Sequence, residues 1–300
     1  MQHLSFIFNL TLVFLFVRLC SRNESEFFFN PFVVFITTRI NKLLDFLKPV
    51  LAIPEQMAIL VIATFLFLFK TLLFSRLSPE ISIPFGQLIT CHSSAALPEQ
   101  ISLLIFSLLN TLTFLFKFWS FYFLAALMAA PLRKTRASEA FTYYARPFSY
   151  IPLLYQPFVL LALHTALAYT CSALGTLTYF QPGADTPPVI ALSTAPFAVR
   201  MLKTLWLGML SFSDAIMIMI QVLFISIIGS MVATALRKGE LMTLCNETTE
   251  IVLGRFSRSG AARTGIDFTP IIFFFAAHYG YMLICSFVTN LINTPIQLPF

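Results

Sequence analysis

Three hundred residues of which 58% are hydrophobic and 11% charged, at a mean hydropathy of +0.84, exclude an ordinary soluble globule, where roughly 25% of residues are charged. The apolar surplus falls into several runs, each near the ~20 residues that cross a bilayer, which marks an all-α, polytopic membrane protein. The net charge of +6 is divided among separate loops, an argument against nucleic acid as a partner.

The first apolar run, Leu4–Cys20, has no Lys or Arg before it and no small-residue cleavage site after it. It is therefore expected to be an uncleaved span rather than a signal peptide. Phe27–Val50 follows. Its second half places Ile40, Leu43, Leu44 and Leu47 on one helical face and Arg39, Lys42 and Lys48 elsewhere, the pattern of a helix lying in the membrane interface. Five further spans are expected over Leu51–Phe74, Ile101–Ala130, Tyr150–Phe180, Leu202–Leu236 and Ile266–Ile292, six in all. A helix over Ile101–Ala130 would be about 45 Å long and must tilt, kink or project from the hydrocarbon.

Charge placement sets the expected topology. The segments after spans one, three and five hold 14 of the 19 basic residues, among them Arg39, Lys42, Arg133, Lys134, Arg237 and Lys238. The alternate loops hold Lys70, Arg76, Arg200 and Lys203. The positive-inside rule then makes the first set cytoplasmic and turns both termini outward.

Near the C-terminus a basic segment with Arg255, Arg258 and Arg263 gives way to a run, Phe268–Phe300, without Lys, Arg, Asp or Glu. Thr269-Pro270 reads as a helix start, with Thr269 able to cap and Pro270 losing no needed donor. Asp267 just before it suits the positive end of the helix dipole. Variants of this unit occur earlier. A-P-L-R-K at Ala130–Lys134 and T-A-L-R-K at Thr234–Lys238 each lead through a basic loop to a proline-headed span, at Pro157 and Pro270. The chain thus reads as three helical hairpins with amphipathic cytoplasmic tips: a divergent one over 1–99, a middle one over 100–185 and a C-terminal one over 186–300.

The residues Gly265-Ile266-Asp267-Phe268-Thr269-Pro270-Ile271 resemble the glycine–aliphatic–Asp–aliphatic–Ser/Thr–Pro–aliphatic signature of the YggT family of small membrane proteins. The resemblance is good over Thr234–Ile292, weak over Leu15–Phe74 and marginal over Ser107–Thr170. The family's arginine-rich segment is reduced here to Arg255, Arg258 and Arg263, and the chain looks long by one hairpin. The resemblance implies an integral protein of the inner or a plastid membrane, without established catalytic chemistry. It implies roles in osmotic or ion homeostasis, envelope organisation or membrane-linked assembly.

Polar groups within spans are the strongest functional flags, since a charge at mid-bilayer costs ~2.5 kcal/mol or more. Lys117 and Asp214 qualify. Aligning the two L-R-K ends sets Asn110 against Asp214 and Lys117 against Gln221, two polar stripes able to form a Lys117–Asp214 pair or to line a wet pathway. His164 and His278 follow Pro157 and Pro270 at similar distances. They are expected to hydrogen-bond neighbouring helices, with shared haem ligation as the sharper alternative. Cys91-His92 reads as outer loop. Five cysteines without C-x-x-C spacing indicate neither a disulfide framework nor a zinc site. No nucleophile elbow, zincin motif or Gly-rich phosphate loop is present. The sequence therefore points to a non-enzymatic accessory, assembly or membrane-homeostasis factor without metal or cofactor. Its partners would be lipids, other membrane proteins or further copies of itself, and the alternative is a transporter or channel component using Asn110, Lys117, Asp214 and Gln221.

Overall fold

The computed structural model describes residues 2–20, 30–51, 53–77, 81–93, 98–129, 135–180, 188–190, 192, 195–253 and 269–294. Among these the elements run α1 (Gln2–Cys20), α2 (Pro31–Leu51), α3 (Glu55–Leu77), β1 (Ser82–Phe85), β2 (Ile89–Ser93), α4 (Glu99–Ala129), α5 (Arg136–Ser149), α6 (Gln156–Leu174), β3 (Gly175–Tyr179), β4 (Val189–Ile190), α7 (Phe197–Ala235), α8 (Gly239–Leu253) and α9 (Thr269–Asn293). Five helices, α3, α4, α6, α7 and α9, are long and apolar enough to cross a membrane, and α1 is a shorter apolar helix. This is a mostly helical membrane protein.

Large apolar side chains outside the helical core face outward, as Phe65, Leu72, Phe158, Ile272 and Phe287 do. In lipid such exposure carries no hydrophobic cost, and inter-helix attraction rests on close packing and polar contacts. Gly208 on α7 shows the close approach. A Cβ there would stand 2.8 Å from the Thr165 Cα of α6. That spacing lets the two backbones touch.

The loops divide into two kinds. Those after α1, α4 and α7 are helical, and α5 touches both α2 and α8. The start of α5 is where they meet. Thr135 and Ser138 cap each other's backbone amides, with Thr135 N to Ser138 Oγ at 2.8 Å and Ser138 N to Thr135 Oγ1 at 3.2 Å. Glu247 of α8 accepts from the Ala137 amide at 3.0 Å, and Asn30 beside α2 donates to the Arg136 carbonyl. Carboxylate and hydroxyl acceptors thus satisfy amides that a helix start leaves free. On α2, Leu44 is fully buried with Leu15, Ala58, Ile59 and Ile62, while Leu43 stays 44% exposed. The apolar face foreseen for this helix is therefore divided between the α1–α3 core and the surface.

Among the described residues, the loops after α3 and α6 carry strands instead of helices. They combine into a four-stranded antiparallel sheet of order β1-β2-β3-β4. This corrects the all-α expectation. The span foreseen to Phe180 stops at Leu174, and Gly175-Thr-Leu-Thr-Tyr continues as β3. Gly175 is required there, because a Cβ would lie 2.6 Å from Cys91 Sγ. Cys91-His92 is strand rather than loop, paired with Leu177 and Thr176. Ile83, Phe85, Ile89 and Cys91 alternate inward and are fully buried among side chains of α4, α6, α7 and α9.

Candidate functional site

The β1–β2 hairpin reaches far along the bundle. Its turn, residues 86–88, meets α7 at Asp214, and its first strand meets α4 at Lys117. Each of these residues lies some seventeen or more positions past the start of its helix, roughly 25 Å at the α-helical rise. The turn opens on Gly86, at φ +65°, where a Cβ would also crowd Cys285 Sγ at 3.3 Å and Leu210 at 3.4 Å. Only glycine takes that conformation readily.

Asp214 is the hub. Its Oδ2 lies 2.6 Å from Lys117 Nζ and accepts from the Gly86 amide at 3.2 Å. Its Oδ1 accepts from the Tyr281 hydroxyl of α9 at 2.5 Å. Lys117 also donates to the Pro84 carbonyl at 2.6 Å. Two helices, a third helix's phenol and the first strand and turn of the hairpin therefore converge on one buried ion pair. Pro84 sits where a strand tolerates it, on the sheet's edge strand, and its carbonyl is free to take the ammonium.

His164 of α6 stands beside this pair. Its Nε2 is 3.0 Å from Ser120 Oγ and its Nδ1 is 2.9 Å from Ser211 Oγ. Ser120 lies one turn beyond Lys117 on α4 and Ser211 one turn before Asp214 on α7, so His164 bridges the same two helices. Both ring nitrogens are engaged, as the helix-bridging expectation for His164 requires. His278 has different surroundings: half-buried, it stacks on Phe274 of its own helix with rings 6.2 Å apart. The structure does not bring the two histidines together, and a shared haem site between them is set aside.

A second cluster lies among α1, α3 and α4. Lys70 is 1% exposed, and its Nζ donates to Asn9 Oδ1 at 2.7 Å, Thr111 Oγ1 at 3.0 Å and Asn110 Oδ1 at 3.2 Å. Asn110 in turn donates to the Ser82 carbonyl at the head of β1, at 3.3 Å. Charge counting puts Lys70 in an outer loop; it lies inside α3, and its role is not read from the sequence. The missed signal was a lysine seven residues inside the helix's apolar end, too deep to be counted with the loop.

Of the stripe residues, Lys117 and Asp214 are joined, Asn110 belongs to the Lys70 cluster, and Gln221 is exposed on α7, apart from both. Equivalent positions in the two L-R-K-ended helices thus do not carry equivalent partners. Thr269 and Pro270 are the first described residues of α9. Arg255, Arg258, Arg263, Gly265 and Asp267 lie outside the described residues. No group of three or more His, Cys, Asp or Glu side chains able to hold a metal occurs among the described residues. No known protein family, curated protein or solved structure matches the chain. The likeness to the YggT family therefore rests on Gly265–Ile271 and the surrounding pattern alone.

Proposed function

We propose that this chain is a YggT-like integral membrane protein of the cell's inner membrane, acting by binding as a non-enzymatic accessory, assembly or homeostasis factor. In this reading α1 is a sixth span and both termini face outward. The three repeats of helix, loop helix and returning helix correspond to 1–99, 100–185 and 186–300. The single observation that carries it is how the buried ionisable groups are used. Lys117, Asp214, Tyr281 and His164 are engaged with one another, with serines and with the hairpin backbone. Such use fixes a shape; it presents a surface rather than a reacting group. The order of elements adds support, because α1, α4 and α7 each precede a loop helix and a helix that packs back on them.

The binding reading is tested by native electrophoresis of mildly solubilised membranes with in-membrane cross-linking. A discrete complex larger than the 33.9 kDa chain, carrying a reproducible second component or a second copy, is expected. Migration as a lone chain in every detergent, without cross-links, would overturn it. Turnover of any substrate by the pure protein would do the same.

A second reading is favoured by one specific observation. Two lysines and a carboxylate lie buried inside helices that are otherwise apolar, and intramembrane charges of this kind mark ion pathways as well as packing contacts. A transporter or channel component using Asn110, Lys117 and Asp214 predicts ion flux in liposomes that falls in Lys117→Met and Asp214→Asn. Gln221, exposed away from the cluster, would serve only at the edge of such a path.

A further inference from the structure

The three oxygens around Lys70 have the character of a cation site. An ammonium offers three donors and no acceptor, and Lys70 Nζ finds three acceptors, Asn9 Oδ1, Thr111 Oγ1 and Asn110 Oδ1, at 2.7, 3.0 and 3.2 Å. They come from two helices that flank α3. Ser5 Oγ, from the adjacent turn of α1, donates to Asn110 Oδ1 at 3.3 Å and so holds one of the three in place. All are neutral, and no carboxylate lies in ion-pair range of Lys70 among the described residues. The charge is held by amide and hydroxyl dipoles alone. That is how neutral oxygen rings replace the hydration shell of an alkali cation, whose single charge they can balance without a counter-ion. A divalent ion would ask for carboxylates that this cluster lacks.

We infer that Asn9, Asn110 and Thr111 form a binding site for a monovalent alkali cation, which Lys70 fills as a tethered substitute. While Lys70 is present the site excludes free ions; when its side chain is removed, sodium or potassium takes the vacated position. Occupancy is communicated to the hairpin, because the same Asn110 that accepts from the cation donates to the Ser82 carbonyl of β1. The inference stands apart from the accessory reading above and holds whether the chain binds a partner or passes an ion.

The test compares wild type, Lys70→Ala and the double variant Lys70→Ala/Asn9→Leu, all full-length. Each is purified in mild detergent in chloride salts of choline, sodium, potassium or methylammonium at equal ionic strength. The readouts are monodisperse yield and unfolding temperature. Wild type is expected to behave alike in all four salts. Lys70→Ala is expected to gain yield and unfold about 3 °C or more higher in sodium, potassium or methylammonium than in choline, saturably, as ligand binding to the folded state requires. Asn9→Leu is expected to cancel that gain. Lys70→Ala behaving identically in every salt, including uniform failure to fold, overturns the inference. An equal alkali dependence in wild type, or its survival in the double variant, places the ion elsewhere and overturns it too.

Discussion

Two lysines are buried in one helix bundle, and they are neutralised in opposite ways. Lys117 has a carboxylate at 2.6 Å, while Lys70 has three neutral oxygens. The first arrangement concentrates charge attraction where three helices and the hairpin tip meet. The second spreads it over dipoles between α1, α3 and α4. A fixed ion pair suits a joint, since loss of either member strands the other in a medium that punishes bare charge. A dipole cage suits an exchangeable occupant, since its members can re-pair among themselves. Asn9 Nδ2 already donates to Asn110 Oδ1 at 2.9 Å, and Thr111 already donates to the Ser107 carbonyl at 2.9 Å.

The sharpest way to break this comparison is to remove each ammonium by an isosteric apolar chain. Lys117→Met strips Asp214 of its counter-charge, leaving it only the Tyr281 hydroxyl and the Gly86 amide, and is expected to cost about 3–5 kcal/mol. Lys70→Met relieves a buried charge and leaves acceptors that can find the donors already present, so its cost is expected to be under about half of that. Pairing Lys117→Met with Asp214→Leu should recover most of the first loss, because no orphan charge remains. Thermal unfolding in detergent, followed through Trp119 and Trp206, measures all three. Equal losses at the two lysines would mean that the carboxylate adds nothing beyond hydrogen bonding.

His164 gives the next effect. Replacing it with Phe keeps the ring but unpairs Ser120 and Ser211, a loss of about 1–3 kcal/mol. The double variant Ser120→Ala/Ser211→Ala on the Phe background should return part of it, since buried hydroxyls without partners are what the single change creates. If His164→Phe is neutral, the imidazole does not help hold α4 to α7, and the ion pair and the apolar packing between them suffice.

The apolar spans and the Lys117–Asp214 pair were legible because charge inside an apolar run is costly and so conspicuous. Lys70 was not, because it lies within two turns of a helix end, where a snorkelling lysine gives the same pattern. The hairpin was written in Ile83, Phe85, Ile89 and Cys91, alternating about Gly86, yet each strand is only four or five residues long. Proline at 84 further masks β1, being tolerated only because β1 is an edge strand. The run to Phe180 misled for a different reason. Apolar residues with threonines satisfy a span and a strand equally, and the change at Gly175 depends on the close approach of Cys91, which no local signal announces. Cys91 itself changes the expected chemistry. The neighbouring Cys171 and its own burial push its thiol upward, so maleimide should label half-buried Cys245 well before Cys91, whichever side each faces.

The smallest expected effect decides what holds the hairpin in place. Thr90 and Thr178 are directly opposed in β2 and β3, their hydroxyls 3.1 Å apart. Thr178→Val keeps the branched shape that packs well in a sheet and removes the hydroxyl's contacts with Thr90 Oγ1 at 3.1 Å and the Thr90 carbonyl at 3.5 Å, a loss of about 0.2–1 kcal/mol. If the hairpin is pinned at its tip by Lys117 and Asp214, this loss stays small and simply adds to that of Lys117→Met, the two sites being far apart along the strands. If the sheet is what pins it, the two losses will be coupled: Thr178→Val will cost more in the Lys117→Met background than alone, because the second anchor is then carrying the strand that the first has released.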